Sequence, residues 1–250
     1  MPEGEQTMTF WEHLEELRGM LIRIAVAAIL AGTVCFMFRE PMFRLVLAPA
    51  KEGFFFLRWL GVENPTLSLI NTELTEQFMV HMRVAFVFGL LVASPYILYT
   101  LFGFVSPALY QNERRYSGRL TFVAYVLFMV GVVINYLLIF PLTVTFLGTY
   151  QVEASVVPML SLNSYIDTLL MMSLTFGIVF EIPVLSWLLA RLGFLRAEWM
   201  SRYRRHAVVV ILIIAAVITP TTDAFTLIIV SLPIWLLYEA SIRIVKITQT

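Results

Sequence analysis

Charge is what this sequence is short of. Only 14% of its 250 residues are Asp, Glu, Lys or Arg, against about a quarter in soluble domains, while 60% are hydrophobic. So few charges cannot cover a water-facing surface, which excludes an ordinary soluble domain and points to a protein whose outside meets lipid. The charges that are present cancel, 17 basic against 17 acidic, so nothing draws the chain as a whole toward nucleic acid. Cysteine occurs once, at Cys35 inside an apolar run. An intramolecular disulfide is excluded, and the residue reads as a small packed hydrophobe. The phosphate-cradling pattern G-x-x-x-x-G-K-S/T does not occur, so nucleotide hydrolysis is not expected. Internal repeats and low-complexity tracts are not visible. Serines are scattered and no histidine pairs with an acid at a recognisable spacing, so no catalytic set is expected and the chain reads as a non-enzyme without cofactor. The first residues are acidic (Glu3, Glu5, Glu12, Glu15, Glu16), the wrong sign for a cleaved signal, so the first apolar run is expected to remain as a span.

Long apolar runs are what the sequence has instead. A bilayer core takes about 20 apolar residues as helix, and continuous rather than alternating runs favour helix over barrel strand. The expected spans are 19–38, 79–105, 120–147, 165–192, 207–218 and 224–238. The last two are short and form a hairpin around Thr219-Pro220-Thr221-Thr222-Asp223, short enough to thin the bilayer locally. The basic residues sort unevenly between the two sides. The side with both termini holds Arg18, Arg114, Arg115, Arg119, Arg191, Arg196, Arg202, Arg204, Arg205, Arg243 and Lys246. The other holds Arg39, Arg44, Lys51 and Arg58. This predicts cytoplasmic termini. The stretch 39–77 becomes an external segment carrying Pro41, Pro49 and Pro65. Its aromatic run at 54–60 is too short to cross and reads as an interfacial helix or a packed cap.

Three places could carry function. The first is FWEHLEELR at 10–18, an amphipathic helix leading into the first span, with Glu12 and Glu16 four residues apart on one face. His13 lies beside them, but a metal site needs more donors than the neighbourhood offers, so no metal is expected. The stretch reads either as a solvated face or as an anionic patch awaiting a cation. The second is FVSPALYQNERR at 104–115. Pro107 ends the second span, Leu109 and Tyr110 suit the interface, and Arg114 and Arg115 serve as orientation signals. Glu113 does not fit that role, because carboxylates contribute little to orientation. The third is Glu181 in FGIVFEIPV. A carboxylate at span depth costs of order 2–3 kcal/mol and is a functional candidate by default; the plainer reading is a packed acid that holds helices together. Pro183 follows and breaks the ladder there. Arg23, Arg83 and Glu239 lie near span ends and read as snorkelling structural charges. Asp223 reads as the N-cap of the last helix.

HLEELR at 13–18, FVSPALYQNERR at 104–115, FGIVFEIPV at 176–184, ITPTTDAF at 218–225 and LPIWLLYE at 232–239 occur in this order. Together they make the chain resemble the TatC family, the polytopic subunit of the twin-arginine protein translocase. The resemblance covers nearly the whole chain. It implies an all-α integral membrane protein of six transmembrane helices in a cup or glove, with both termini cytoplasmic. It implies a signal-peptide receptor that moves folded proteins across a prokaryotic plasma (inner) membrane with the proton gradient. Carried over by motif, the arginine-reading acids are Glu16, with Arg18 beside it, and Glu113, followed by Arg114. Pro107, Leu109 and Tyr110 would accompany them. A guanidinium is a planar, permanent fork that carboxylates accept bidentately, and lysine does not reproduce it. The family's intramembrane acid corresponds to Glu181 and its external proline to Pro49. Partners implied are single-span TatA/TatB-type subunits, twin-arginine signal peptides, the bilayer and further copies in homo- and hetero-oligomers, with no nucleic acid. The partner contact falls at Thr222, Asp223, Thr226 and Leu227. Leu227 stands where the family usually has glutamine, and Thr221, Thr222 or Thr226 would have to supply the polarity. A proton-coupled small-solute transporter using Glu181 is the alternative reading; the lack of repeats counts against it.

Overall fold

The computed structural model describes residues 10–62, 66–105, 117–150, 153, 159–219 and 223–249. Helix dominates because apolar surroundings offer no water to backbone N–H and C=O groups, and a helix satisfies them internally. Five helical stretches are long and apolar enough to cross a membrane: Trp11–Phe36, Glu76–Phe104, Gly118–Thr149, Leu162–Arg191 and Ala224–Gln249. The chain is a multi-pass membrane protein.

Helix α1 (Phe10–Phe36) joins the amphipathic stretch and the first span without a break. It runs antiparallel to α4 (Glu76–Val105). His13 stacks on Phe104 at one end, ring centroids 4.6 Å apart, and Phe36 stacks on His81 at the other, 4.1 Å apart. Between these ends the two backbones touch, and a Cβ added at Gly89 would fall onto the Gly32 nitrogen. Small residues allow this approach, a common basis of helix packing in membranes. Pro95 lies inside α4 and cannot donate to the Leu91 carbonyl. The Ser94 hydroxyl does so instead, at 2.7 Å.

The segment after α1 forms α2 (Arg39–Val46), a 3-10 turn (Ala48–Ala50) and α3 (Phe55–Trp59). It is a packed cap. Leu57 is fully buried, while Phe55 and Trp59 point outward. Two tyrosines of later helices hold it down: the Tyr136 hydroxyl donates to the Leu45 carbonyl at 2.8 Å, and Tyr165 donates to the Val46 carbonyl at 3.0 Å. A two-residue strand, β1 (Leu69–Ile70), pairs in parallel with β2 (Leu160–Ser161), joining two connecting segments far apart in sequence.

Helix α5 (Ser117–Ile134) passes through a π-helical turn (Asn135–Ile139) into α6 (Phe140–Thr149). The wide turn has an identifiable cause. Pro141 lacks an N–H and its ring would press on the preceding turn, so the ladder widens just before it. Helix α7 (Leu162–Val179) and α8 (Ile182–Arg191) form one crossing interrupted at Phe180 and Glu181. There Pro183 removes the donor that the Val179 carbonyl would need. The main core gathers around α7, with Tyr165, Ile166, Met172 and Phe176 packed against Val80, Val84, Phe140, Val230 and Ile234. Cys35 is half-buried against this core.

Helices α9 (Ala197–Arg202), α10 (Arg204–Ile218) and α11 (Ala224–Gln249) complete the chain. Helix α10 is short, as expected. The expectation that the last helix is also short is wrong: α11 has 26 residues and continues well past Tyr238. Hydropathy stops at Glu239, but a charge does not stop a helix. Beyond it Ser241, Ile242 and Val245 are buried, the last two against Ala197 and Met200 of α9. Packing therefore carries the helix on.

Candidate functional site

The first expected site lies where α1 begins. Glu16 is half-buried and Arg18 exposed on the first turns of α1. The His13–Phe104 stack sets this region beside the end of α4. Pro107, Leu109, Tyr110, Glu113 and Arg114 lie outside the described residues. Among the described residues no group of three His, Cys, Asp or Glu side chains could hold a metal ion; His13 is used in ring stacking.

The second is Glu181, in the break between α7 and α8. Its amide donates to the Ile178 carbonyl at 3.0 Å and its carbonyl accepts from Leu185 at 2.9 Å. The side chain is only 7% exposed. Neither carboxylate oxygen has a hydrogen-bond partner among the described residues. A satisfied structural acid would show such partners. One face of α7 also carries Ser173, whose hydroxyl accepts from the fully buried Asn135 amide at 3.0 Å.

The third is the start of α11. Asp223 Oδ1 accepts from the Thr226 amide at 2.8 Å, an N-cap as the sequence suggests. Thr226 is fully buried. Leu227 packs in part against the main core, and Phe225 stacks on Phe146 of α6 at 4.2 Å. Thr222 lies outside the described residues. Pro49 is buried in the 3-10 turn Ala48–Ala50.

Sequence reasoning missed a polar cluster at the opposite end from His13. The buried Glu76 carboxylate, at the start of α4, accepts from the Thr72 amide (2.6 Å), the Thr72 hydroxyl (3.1 Å), the Glu73 amide (3.1 Å), the Asn163 amide (2.7 Å) and the Ser161 hydroxyl (3.3 Å). It locks the β1 and β2 segments together. Two turns further along α4, Arg83 is not a simple snorkelling charge. It donates to Asn163 at 2.8 Å and to Asp167 Oδ2 at 2.6 Å. Asp167 is an acid inside an apolar run, the same signal that singled out Glu181, and could have been found by it. Glu239 is also engaged, by Arg204 through contacts of 3.0 Å to each oxygen.

A bundle with five helices long and apolar enough to cross a membrane, holding at Glu181 a buried acid without a hydrogen-bond partner among the described residues, defines a polytopic membrane protein. The comparisons give it a family. The sequence model of Sec-independent protein translocase protein (TatC) matches residues 12–233. The chain is 37% identical to the TatC of Koribacter versatilis over 97% of this chain and 86% of that one. It is 31% identical to the TatC of Aquifex aeolicus over 96% and 95%, and 33% identical to TatCy of Bacillus subtilis over 96% and 89%. A crystal structure described as the twin arginine translocase receptor TatC superposes with a TM-score of 0.80 at 31% identity, covering 96% of this chain and all of that one. The chain belongs to the TatC family and is a subunit of the twin-arginine protein translocase. The family is one of protein-translocase components, and these matches lend the small-solute transporter reading no support.

Proposed function

We propose that this subunit is the signal-peptide receptor of its translocase, reading a twin-arginine pair with Glu16 and Glu113. Arg18 and Arg114 flank the acids, and Pro107, Leu109 and Tyr110 receive the apolar part of the signal. The observation that carries this reading is the His13–Phe104 stack. It brings the helix bearing Glu16 beside Phe104, the first residue of the motif that contains Glu113. Two guanidinium forks want two carboxylates at a surface of reduced dielectric, where charge-assisted bonds are strongest.

The reading includes six crossings, with α10 as the fifth, in a cup with both termini cytoplasmic and 39–77 as an external cap. The uneven basic residues support the orientation. The protein acts in the plasma (inner) membrane of a prokaryote, moving folded precursors at the expense of the proton gradient. Single-span TatA/TatB-type partners dock near Thr222, Asp223, Thr226 and Leu227, in homo- and hetero-oligomers. Glu181 is the intramembrane functional acid; its two oxygens, without a hydrogen-bond partner among the described residues, support a role beyond holding helices together.

Photocrosslinking of a twin-arginine signal peptide to membranes tests the reading. Both Glu16→Ala and Glu113→Ala are expected to lose the crosslink, and unchanged crosslinking in both would remove the proposal. Cysteine labelling from outside the cell tests the orientation: position 155 is expected to react and position 112 to stay protected, and the reverse pattern would overturn it.

A further inference from the structure

The two last helices leave a groove that the translocase reading does not use. It holds about 250 Å³ between α10 and α11 and is lined by Val208, Ile211 and Leu212 of α10 and by Ile228, Ser231, Leu232 and Trp235 of α11. A single flexible hydrocarbon chain fits a groove of this volume and apolar lining. At one end the groove meets the Arg204–Glu239 pair. Helical register then fixes what surrounds that pair. Residues 228, 232, 235, 239, 243 and 246 follow one stripe of α11 at spacings of three and four, so Arg243 lies one turn beyond Glu239. On α10, Arg205 precedes Val208 and Leu212 by three and seven residues, on the groove side.

The corner is strongly basic. Residues 191–206 carry five arginines and one acid, and 239–249 carry Arg243, Lys246 and one acid. Arg204 and Glu239 neutralise each other. Arg202, Arg205 and Arg243 are exposed, and the structure gives none of them a hydrogen bond or ion pair among the described residues. Trp199 and Tyr203 are half-exposed beside them, amphipathic rings suited to the level of lipid headgroups. The exposed apolar face of α10 (Val208, Val209, Leu212) starts within a turn of Arg205.

We propose that this corner and groove together form a binding site for an anionic glycerophospholipid. The phosphate lies on Arg205 and Arg243 with Arg202 nearby, and one acyl chain lies along Val208, Leu212, Leu232 and Trp235. Arginine forks match phosphate oxygens, and basic pockets between membrane helices hold anionic headgroups at this level. The inference goes beyond signal recognition and uses none of the residues assigned to it.

Trp235 supplies the readout. A W11F/W59F/W187F/W199F chain keeps it as the single tryptophan, since the sequence has five. This chain is reconstituted in vesicles of phosphatidylcholine and phosphatidylglycerol in which the acyl chains of one lipid are brominated. At equal mole fraction, brominated phosphatidylglycerol is expected to quench Trp235 at least twice as strongly as brominated phosphatidylcholine. R205Q/R243Q should abolish the preference, and R205K/R243K, which keeps the charge, should retain most of it. Equal quenching by both lipids, or by neither, in the chain with its arginines intact overturns the proposal. So does a preference that survives R205Q/R243Q in a normally eluting protein. Loss of the preference on adding millimolar inorganic phosphate would show a free-anion site and equally overturn the lipid assignment.

Discussion

Arg83 on α4 and Asp167 on α7 form an ion pair across 84 residues of sequence, with Asn163 completing the donor's shell at 2.8 Å. Both side chains remain more than two-fifths exposed, so the pair contributes modestly, about 0.2–1 kcal/mol, as exposed pairs do. Arg83→Gln and Asp167→Asn are each expected to lower thermal stability by that amount, and the double variant by no more than either alone. A thermal-unfolding series in detergent checks this; additive losses would show that the two residues act separately.

The α1–α4 crossing predicts a contrast between two glycines of one helix. A Cβ at position 89 would meet the Gly32 backbone, whereas one at position 103 meets nothing within 4 Å. Backbone cannot move aside as a side-chain tip can. Gly89→Ala is expected to destabilise by about 1–3 kcal/mol, while Gly103→Ala gains up to about 1 kcal/mol from helix propensity. Paired melting curves of the two variants decide it.

Glu76 predicts a local rather than a global effect. Its carboxylate collects the amides of Thr72, Glu73 and Asn163. Glu76→Gln keeps the size but puts a donor where acceptors are needed. Amide exchange at 69–73 and 160–163 is expected to speed up at least tenfold, with α7 unchanged. Unchanged exchange in both segments would mean that the β1–β2 pairing holds without the clasp.

The N-cap of α11 gives a fourth expectation. Asp223→Ala should cost about 1 kcal/mol and Asp223→Asn much less, because the amide oxygen can still accept from Thr226. Thermal unfolding separates this cost from any loss of partner binding, which pull-down of a single-span subunit would read independently.

The five long apolar helices were legible because hydropathy follows from local composition. The α7–α8 break was legible at Pro183, which removes a donor wherever it sits in a helix. The length of α11 was not: Glu239 ends the apolar run, yet Ile242 and Val245 find a buried site against α9 that only the folded chain supplies. The Glu76 clasp was invisible for a related reason, since two of its donors lie 85 and 87 residues away. Glu181 stood out from sequence because an acid in an apolar run is rare. Asp167 carried the same signal, and its pairing with Arg83 turns it from an outlier into a helix contact. The motifs at 13–18 and 104–115 were legible one by one, and their association came from the resemblance; the contact of His13 with Phe104 came only from the antiparallel course of α1 and α4.

The central claim is that two carboxylates read two arginines. It is tested most directly by measuring the affinity of the purified chain for a twin-arginine signal peptide and for its twin-lysine counterpart, in the original protein and in E16Q/E113Q. Charge-assisted hydrogen bonds of about 1.5–3 kcal/mol predict that the original protein favours the arginine peptide by about tenfold or more, and that E16Q/E113Q binds both peptides alike. A double variant that keeps the full arginine preference would contradict the account.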